Sequence, residues 1–434
     1  MSNGSKRLRK AGSMPPIIPE FMRLIMLKYP WAFTVAIAAT VFLGAVLLAG
    51  RDATLGVWGV RCLKPDFSDT RGITSGVEAW AAGEDPLVSN PRDPWARTFN
   101  YPRAWLALSW FGVTQDDSVW IGYVLTGLFF VGLAIFPPAD PGGRTIGMML
   151  CGAFSPAVLL GLERGNSDLL MFFLLATAIT AFSGSRRAAK AVGTVALLAA
   201  FVLKIYPLLG AAMILGESRK VFLRFTVGIT LFASFILLWT RADIALIHAA
   251  TPRATGLSYG IDVLWMEIGQ HGERLGDIAW LLSRAGVLVA AALLAAGFLR
   301  KGEFGDVVHG CGKTLAAFQA GAAVYCGTFL LGNNWDYRLV FLLFTFPFLS
   351  RAAGTDDRRV SWISIAVLAN ALASLWHVTI HHAARNFPFG SEASVLLDEA
   401  CNWFTFLGLG FLLGLTMPDW LRRKRWRASD AFAR

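Results

Sequence analysis

Long apolar runs, separated by short charged turns, constrain this chain more than any other feature. A helix needs about 20 apolar residues to cross the roughly 30 Å hydrocarbon core of a bilayer, and the 434-residue sequence contains many such runs. Hydrophobic residues make up 55% of the chain and charged residues only 16%, so the composition is too apolar for an ordinary soluble domain. We therefore expect an all-α polytopic membrane protein.

Twelve segments have this apolar character, and they predict a bundle of about twelve transmembrane helices. Their centres fall near Ala39, Leu125, Phe154, Leu175, Ala196, Ala211, Thr230, Val289, Ala323, Leu343, Val367 and Gly408. Around Ala196 and Ala211 two interpretations stay open. The stretch Lys204-Ile205-Tyr206-Pro207 forms either a tight outer turn or a kink in one broken helix.

The basic residues set the expected orientation. With both termini cytoplasmic, the inner side receives about 25 of the 40 Lys and Arg but about 9 of the 29 Asp and Glu. The formal net charge of +11 then divides into about +16 inside and about −5 outside, which is the positive-inside pattern. Basic tails that bind RNA or a protein are the alternative, but charge that flanks membrane spans usually sets topology. We therefore expect the lipid bilayer as a partner and no nucleic acid.

Hydrophilic segments divide the chain unequally. We interpret residues 1–31 as a basic cytoplasmic segment, 32–417 as a single transmembrane domain and 418–434 as a basic cytoplasmic tail. Large outer loops are expected at 51–103, 241–277 and 380–400, whereas the inner loops are mostly short. Because the soluble mass lies outside, we expect the protein to work on that side.

The first loop contains two patterned segments. A short helical pattern runs from Ile73 to Ala81 and ends at Gly83. An amphipathic segment follows at 101–110, where tryptophans suit the membrane interface.

Three charged turns are expected on the outer side, close to the hydrocarbon. They are Glu163-Arg164-Gly165-Asn166-Ser167-Asp168, the turn at Lys204, and Asn333-Asn334-Trp335-Asp336-Tyr337-Arg338. Ionisable groups cost about 2.5–3.5 kcal/mol each at the centre of a membrane helix, so they are usually paired or serve a polar ligand. Local pairing explains any single turn, but three turns on one face together with Asp69 favour a site. Arg164, Lys204, Arg338 and Arg103 are the candidate ligands of a lipid phosphate.

Four stretches of the first half carry a family resemblance. They are Asp69 followed by Ala82-Gly83-Glu84-Asp85-Pro86-Leu87, then Asn100-Tyr101-Pro102, Arg164-Gly165-Asn166, and Lys204-Ile205-Tyr206-Pro207. With them the chain resembles the polyprenyl-phosphate-sugar-dependent glycosyltransferases of the GT-C superfamily, most closely glycosyltransferase family 87, which contains polyprenyl-phosphomannose-dependent α-mannosyltransferases. Arg103 stands where the family commonly has another Pro, and the second half of the chain does not align.

The resemblance implies a GT-C-type helical bundle and an enzyme that transfers a sugar from a polyprenyl phosphate donor to a glycolipid or cell-envelope glycan. Mannose is the first candidate for the sugar. The reaction would take place on the outer face of a bacterial inner membrane, with Asp69 as the catalytic base. Further candidate substrate-binding residues are Asp66, Asp85, Asn100, Tyr101, Glu163, Asn166, Asp168, Trp335, Asp336, Tyr337, His377 and His381.

The chemistry is consistent with this set of residues. An inverting displacement needs one carboxylate base and cations that stabilise the departing phosphate, rather than the carboxylate pair of a retaining glycosidase. Asp66 is the rival base, and it shares a face with Asp69 only if the segment between them is helical. The chain has no DxD motif in this loop, and we expect no cofactor and no obligatory metal.

Other interpretations remain. His377, His381 and His382 have helical spacing and could hold zinc, but no third ligand stands at motif spacing, so we favour interfacial or acceptor-side polarity. A lipid-linked glycan polymerase or ligase would share an outer site, although its large loop would normally come late in the chain. A secondary transporter would place its charges near the bilayer midplane and often show a repeat. We rank these alternatives second and third.

Overall fold

The computed structural model describes residues 29–136, 138, 142–304 and 312–421, so nearly all of the predicted cytoplasmic segment 1–31 and most of the tail 418–434 lie outside the described residues. Most of the described chain is helical. The α-helices are α1 (Pro30–Ala49), α2 (Arg51–Gly56), α3 (Ser68–Ala81), α4 (Ser118–Ile135), α5 (Gly143–Ala153), α6 (Pro156–Arg164), α7 (Asp168–Phe182), α8 (Arg187–Leu203), α9 (Arg219–Trp239), α10 (Arg241–Ala250), α11 (Val263–Gly269), α12 (Glu273–Arg300), α13 (Gly312–Leu330), α14 (Phe346–Ala352), α15 (Arg358–Leu375), α16 (His377–Ala384) and α17 (Gly390–Thr416).

Shorter elements join these helices. The 3-10 helices are Arg103–Phe111, Gln115–Asp117, Tyr206–Gly216, Lys301–Glu303, Asp336–Phe344 and Asp419–Leu421. Two strands, β1 (Ser258–Tyr259) and β2 (Asn334–Trp335), pair antiparallel with Ser258 opposite Trp335. This small sheet ties the second large loop to the third charged turn.

Within the described residues, five helices are long and apolar enough to cross a membrane, or seven if each of two bent pairs counts as one span. The five are Pro30–Ala49, Gln115–Ile135, Arg219–Trp239, Glu273–Glu303 and Gly390–Thr416. The bent pairs are α5 with α6, at 46°, and α15 with α16, at 66°. The structure therefore confirms a mostly helical protein with five to seven helices apolar enough to span a membrane, and it does not confirm twelve spans.

For most of the other predicted segments the difference arises from helix length, whereas α13 has 19 residues but is not apolar enough. The remaining predicted centres, Leu175, Ala196, Ala211, Ala323 and Leu343, lie in α7, α8, α13 and two 3-10 helices. The 15-residue helix α7, for example, reaches only about 22 Å at 1.5 Å per residue, which is short of the roughly 30 Å core. Hydropathy alone cannot separate such a buried helix from a full span, because both are uniformly apolar.

Helix α9 is the least buried of the five candidate spans. Only 6% of its 18-residue apolar stretch is buried inside the protein. Leu231, Phe235 and Trp239 are 67%, 61% and 74% exposed. An apolar face of this size on a helix is typical of contact with a membrane or another protein. Helices α12 and α17, by contrast, approach each other closely through glycines. A Cβ added to Gly414 would lie 2.1 Å from the carbonyl oxygen of Leu294, so small residues permit this contact.

The expected third loop, 380–400, is mostly helical. Helix α16 ends at Ala384 and α17 begins at Gly390, which leaves residues 385–389 between them. Asp398 and Glu399 made the segment look hydrophilic, but both are buried within α17. A buried polar cluster and a solvent loop have the same composition, so the sequence did not distinguish them.

Two close contacts position the first loop over the bundle. Gly165 has φ +58°, and a Cβ there would lie 2.4 Å from Oγ1 of Thr70. The Thr70 hydroxyl donates to the carbonyl oxygen of Gly165 at 2.7 Å. The turn after α6 therefore presses directly against the start of α3, because glycine tolerates both the left-handed backbone and the close approach.

Candidate functional site

A cavity of about 470 Å³ opens between the first loop, the turn after α6, the break after α8 and the third charged turn. It brings together residues that are up to about 270 positions apart in the chain. The predicted site residues that line it are Asp69, Asn100, Tyr101, Arg164, Lys204, Trp335, Tyr337 and Arg338. We refer to this region as the polar cavity.

Asp69 is the second residue of α3, which begins at Ser68. The positive end of the helix dipole favours a negative charge at this position. Asn166 donates its side-chain amide to Oδ2 of Asp69 at 2.6 Å, and Nη1 of Arg97 lies 3.7 Å from Oδ1. The carboxylate is thus oriented by two groups, while 13% of the Asp69 side chain stays accessible.

The rival base, Asp66, faces a different environment. Phe67 has φ +60°, in the left-handed region, and α3 begins only after it, so Asp66 and Asp69 are not on one helical face. Asp66 pairs instead with Arg51 and Lys64, each at 2.9 Å. Burial works against its ionised form, but the Lys64 hydrogen bond and the Arg51 charge hold the pKa of Asp66 below its ordinary value. Asp66 does not line the polar cavity.

Asp168 holds two of the predicted phosphate ligands in place. Its Oδ1 accepts from Lys204, and its Oδ2 accepts from Nε of Arg338 at 3.3 Å. Lys204 also donates to Oγ of Ser167 at 3.0 Å, and the Arg338 guanidinium lies 4.5 Å from the centre of the Tyr206 ring. Asp168 itself is 2% exposed. It lies behind the cavity wall and holds the two lining cations in place.

Glu163 has a comparable structural role. Its side chain is fully buried, its Oε1 accepts from the backbone N–H of Leu63 at 2.8 Å, and its Oε2 lies 3.1 Å from Nε of Arg164. The Arg51 guanidinium donates to the Glu163 carbonyl at 2.7 Å. These contacts fasten the first loop to α6, so Glu163 supports Arg164 without lining the polar cavity.

The sequence analysis missed Arg97 and Asp93, which both line the cavity. Arg97 pairs with Asp93 at 2.9 Å and donates to the carbonyl oxygen of Ser68 at 2.6 Å. Asp93 also accepts from the backbone N–H groups of Trp95 at 2.9 Å and Arg97 at 3.1 Å. An Asp that accepts backbone N–H groups in a Pro-rich turn is a known turn signature, so Asn90-Pro91-Arg92-Asp93-Pro94 carried a usable signal. Asn333, another lining residue that was missed, bonds to the backbone of Ala254.

Two parallel aromatic rings form one wall. The rings of Trp335 and Tyr337 lie 6.4 Å apart with an angle of 5° between their planes. Aromatic faces of this kind offer broad, rigid apolar surface with a polar edge. Beside the carboxylate and cations, they provide a surface on which a sugar ring could stack.

Arg103 and Asp85 lie outside the polar cavity. Arg103 donates to both oxygens of Asp85, at 3.1 and 2.8 Å, and to Asp243 at 2.9 Å. The hydrogen bond from Arg103, as its main cause, lowers the pKa of Asp85 from its ordinary value. Because these two carboxylates occupy its guanidinium, Arg103 joins the first loop to α10, and the expected phosphate role is not supported by its position.

Arg103 instead borders an apolar groove of about 440 Å³. Trp80, Leu106, Trp110, Ile236 and Trp239 are among its lining residues. Three chain segments connect the polar cavity to this groove. Tyr101 and Lys204 line the cavity, and the residues that follow them, Pro102 and Ile205, line the groove. Ala250 of the cavity likewise lies one helical turn from Ile247 of the groove. The apolar groove therefore lies next to the cationic side of the polar cavity.

Asp336, His377 and His381 belong to a separate region. Nδ1 of His377 lies 3.9 Å from Asp336 and 3.4 Å from Asp398, and His381 contacts Oγ of Ser394 at 2.7 Å. Asp336 follows Trp335 but turns inward, with 1% exposure. Sequence adjacency to the cavity wall therefore did not place its carboxylate in the cavity.

Comparisons with known proteins give no further assignment: no protein-family model, no curated protein and no solved structure matches the chain. The family resemblance remains a prediction that rests on the four quoted stretches of sequence.

Proposed function

We propose that this protein is an inverting membrane glycosyltransferase that moves a sugar from a polyprenyl phosphate to a hydroxyl of a glycolipid or cell-envelope glycan. Mannose is the first candidate for the sugar. The observation that carries the proposal is the polar cavity itself. Asp69 lies there with Arg97, Arg164, Lys204 and Arg338. With Asp93 included, the lining side chains have a formal excess of two positive charges, which suits an anionic donor.

The mechanism is a single displacement. Asp69 accepts the proton of the acceptor hydroxyl as its oxygen attacks the anomeric carbon, and the bond from that carbon to the phosphate oxygen breaks. The polyprenyl phosphate leaves with the bonding electron pair, and Arg164, Lys204 and Arg338 stabilise its charge. Asp168 and Glu163 keep these cations in place, so little reorganisation is needed when the charge develops.

The apolar groove supports a lipid-linked donor rather than a nucleotide sugar. A polyprenyl chain is a string of apolar branched units, and the groove offers apolar surface beside the cations that would hold the phosphate. Its three tryptophans, Trp80, Trp110 and Trp239, are exposed, as is common where a protein meets the membrane interface. In this arrangement the donor enters laterally from the bilayer with its phosphate toward Lys204.

The first test uses purified protein in lipid nanodiscs with a panel of labelled polyprenyl phosphate sugars and a membrane glycolipid extract. We expect transfer by the wild type and a loss of about 100- to 10,000-fold in Asp69→Asn, which keeps the shape and removes the base. Asp66→Asn is the matched control, since that carboxylate lies three positions away and outside the polar cavity. Equal losses in both variants, or full activity in Asp69→Asn, would contradict the assignment of the base.

The orientation needs its own experiment. Asp116, in the 3-10 helix that precedes α4, and Asp356, in the turn before α15, are both exposed. In a variant with the native cysteines replaced by serine, we expect Asp116→Cys to react with an impermeant thiol reagent in intact cells and Asp356→Cys to react only after the membrane is opened. The reverse pattern would place the polar cavity on the cytoplasmic side.

The transporter alternative is favoured by one observation, the buried carboxylates around His377, because ionisable groups inside a membrane protein often mark ion pathways. Uptake of free sugars, which carry no polyprenyl phosphate, into proteoliposomes without any covalent product would support that alternative. A lipid-linked product formed without a pH or ion gradient would support the transferase.

A further inference from the structure

Four ionisable side chains meet in the interior of the protein, away from the polar cavity. Asp336 begins a 3-10 helix, His377 begins α16, and Asp398 and Glu399 lie in α17. They are 1%, 7%, 6% and 3% exposed, respectively. We refer to them as the acid–histidine cluster.

The polar atoms of this cluster have unusually few partners. Both carboxylate oxygens of Asp336 and Glu399, Oδ1 of Asp398 and both ring nitrogens of His377 are buried without a hydrogen bond. Among the residues that the structure describes, no Lys or Arg forms an ion pair with these three carboxylates; the only ion-pair contacts are those of His377, at 3.9 Å to Asp336 and 3.4 Å to Asp398. One imidazolium can balance at most one of the three negative charges.

Buried carboxylates cannot all remain ionised in such surroundings. Removing a charge from water costs several kcal/mol when no partner compensates, and like charges near one another add to that cost. The cluster must therefore bind cations or protons. The described residues contain no group of three or more His, Cys, Asp and Glu side chains arranged to hold a metal ion, so the geometry favours protons.

A second observation points to exchange with the protein surface. The ring of His381 lies 6.0 Å from the ring of His377, one turn further along α16. His381 is partly exposed and bonds to Ser394 at 2.7 Å, while His382 and Arg385 lie beyond it at the surface. A histidine between a buried acid and the surface is suited to passing protons, because imidazole can donate at one nitrogen and accept at the other.

We propose that Asp336, His377, Asp398 and Glu399 form a proton-binding site that exchanges with the aqueous surface through His381. At neutral pH the cluster shares protons taken up from water, and no other reactant is needed. The titratable groups that act on it from the surrounding elements are His381 on α16, Cys401 on α17, Tyr325 on α13, Glu267 on α11 and Tyr259 on β1. His382 on α16 and Arg385, just after it, face His381.

The site is connected to the polar cavity through three residues of continuous chain. Trp335 and Tyr337 line the cavity, and Asp336 between them faces the cluster. A change in the charge of Asp336 therefore acts on the backbone that carries both aromatic rings. This link is independent of the reaction at Asp69, so the proton site can be tested without any activity assay.

Infrared difference spectroscopy of the full-length protein provides the test, because protonated and ionised carboxyl groups absorb at separate frequencies. At neutral pH we expect a carboxylic-acid C=O band that declines as the pH is raised. Glu399→Gln and Asp398→Asn should each remove part of the band. Asp66→Asn, which removes an ion-paired carboxylate outside the cluster, should leave it unchanged. Size-exclusion profiles identify any variant that fails to fold, and the two cluster variants are independent tests.

Exchange into D₂O tests the route. His381→Gln should slow the deuterium shift of the C=O band at least several-fold, while His382→Gln leaves the rate unchanged. A wild-type spectrum that contains only ionised carboxylates at neutral pH would overturn the proposal. So would a carboxylate band that shifts when Mg²⁺, Ca²⁺ or Zn²⁺ is added, because the site would then bind metal. An unchanged exchange rate in His381→Gln would remove the proposed route.

Discussion

The polar cavity and the acid–histidine cluster both border the short segment 335–338, but their buried carboxylates have different partners. Behind the cavity, Asp168 is 2% exposed and is paired with both Lys204 and Arg338. In the cluster, Asp336 and Glu399 are equally buried, and their carboxylate oxygens accept no hydrogen bond. The first arrangement fixes charge in place, whereas the second leaves it to be neutralised by protons.

This difference separates two uses of buried charge. A paired carboxylate holds cations in a fixed position at a cost in desolvation that its partners offset. An unpaired carboxylate is stable only when neutral, so its occupancy by protons responds to pH. We interpret the cavity as a preorganised binding site and the cluster as a titrating one.

The largest effect is expected from Asp168→Asn. The change leaves Lys204 and Arg338 buried without their shared counter-charge, and breaking a buried ion pair in this way typically costs about 3–5 kcal/mol. The free energy of unfolding, measured by SDS titration in mixed micelles, should fall by that amount, with loss of donor binding. A variant as stable as the wild type would show that the pairing contributes little.

Arg97→Met should have an intermediate effect. It removes hydrogen bonds to Asp93 and to the Ser68 carbonyl at the start of α3, and hydrogen bonds to charged groups are worth about 1.5–3 kcal/mol. The matched control is Arg92→Met, whose exposed pair with Glu84 should be worth less than about 1 kcal/mol. Equal losses of unfolding free energy in the two variants would remove the distinction between the cavity arginine and a surface arginine.

Asp398→Asn should act in the opposite direction to Asp168→Asn. Asp398 has no Lys or Arg partner among the described residues, and its one ion-pair contact, His377, also lies near Asp336; the amide variant should therefore be neutral or more stable by about 1 kcal/mol in the same SDS titration. The pH dependence of unfolding should weaken at the same time. A loss of several kcal/mol would mean that the contact with His377 stabilises an ionised Asp398, and the comparison between the two regions would fail.

The smallest effect is expected at the surface, for Asp85 and Arg103. The pKa of Asp85 is lowered below its ordinary value of 3.8, so its contribution is present above that pH and is lost as the pH falls through the lower folded-state value. Both side chains are about one-third exposed, so solvent screening limits the contribution to less than about 1 kcal/mol. Asp85→Asn should therefore lower the free energy of unfolding by less than about 1 kcal/mol near neutral pH, and in SDS titrations at several pH values its difference from the wild type should disappear as the pH falls below the folded-state pKa of Asp85.

Much of the candidate site was predictable from local signals. Eight predicted residues line one cavity, since charged turns between apolar helices are confined to the membrane surface and the first loop lies over them. The positions of Arg103, Asp336 and His377 were not predictable in the same way. Arg103 and Asp336 are close in sequence to cavity residues and His377 is not, and in each case only packing decides where the side chain lies.

The sequence by itself determined that the chain is mostly helical and has several helices apolar enough to cross a membrane, because in lipid an apolar run can satisfy its backbone hydrogen bonds only within a helix. It also determined where charge could occur, at the turns and in the first loop. Only the tertiary structure decided which helices are long enough to span, and which charges meet. Asp168 and Arg338 are 170 positions apart, and a pairing over that distance follows from how the helices pack, which no local pattern encodes.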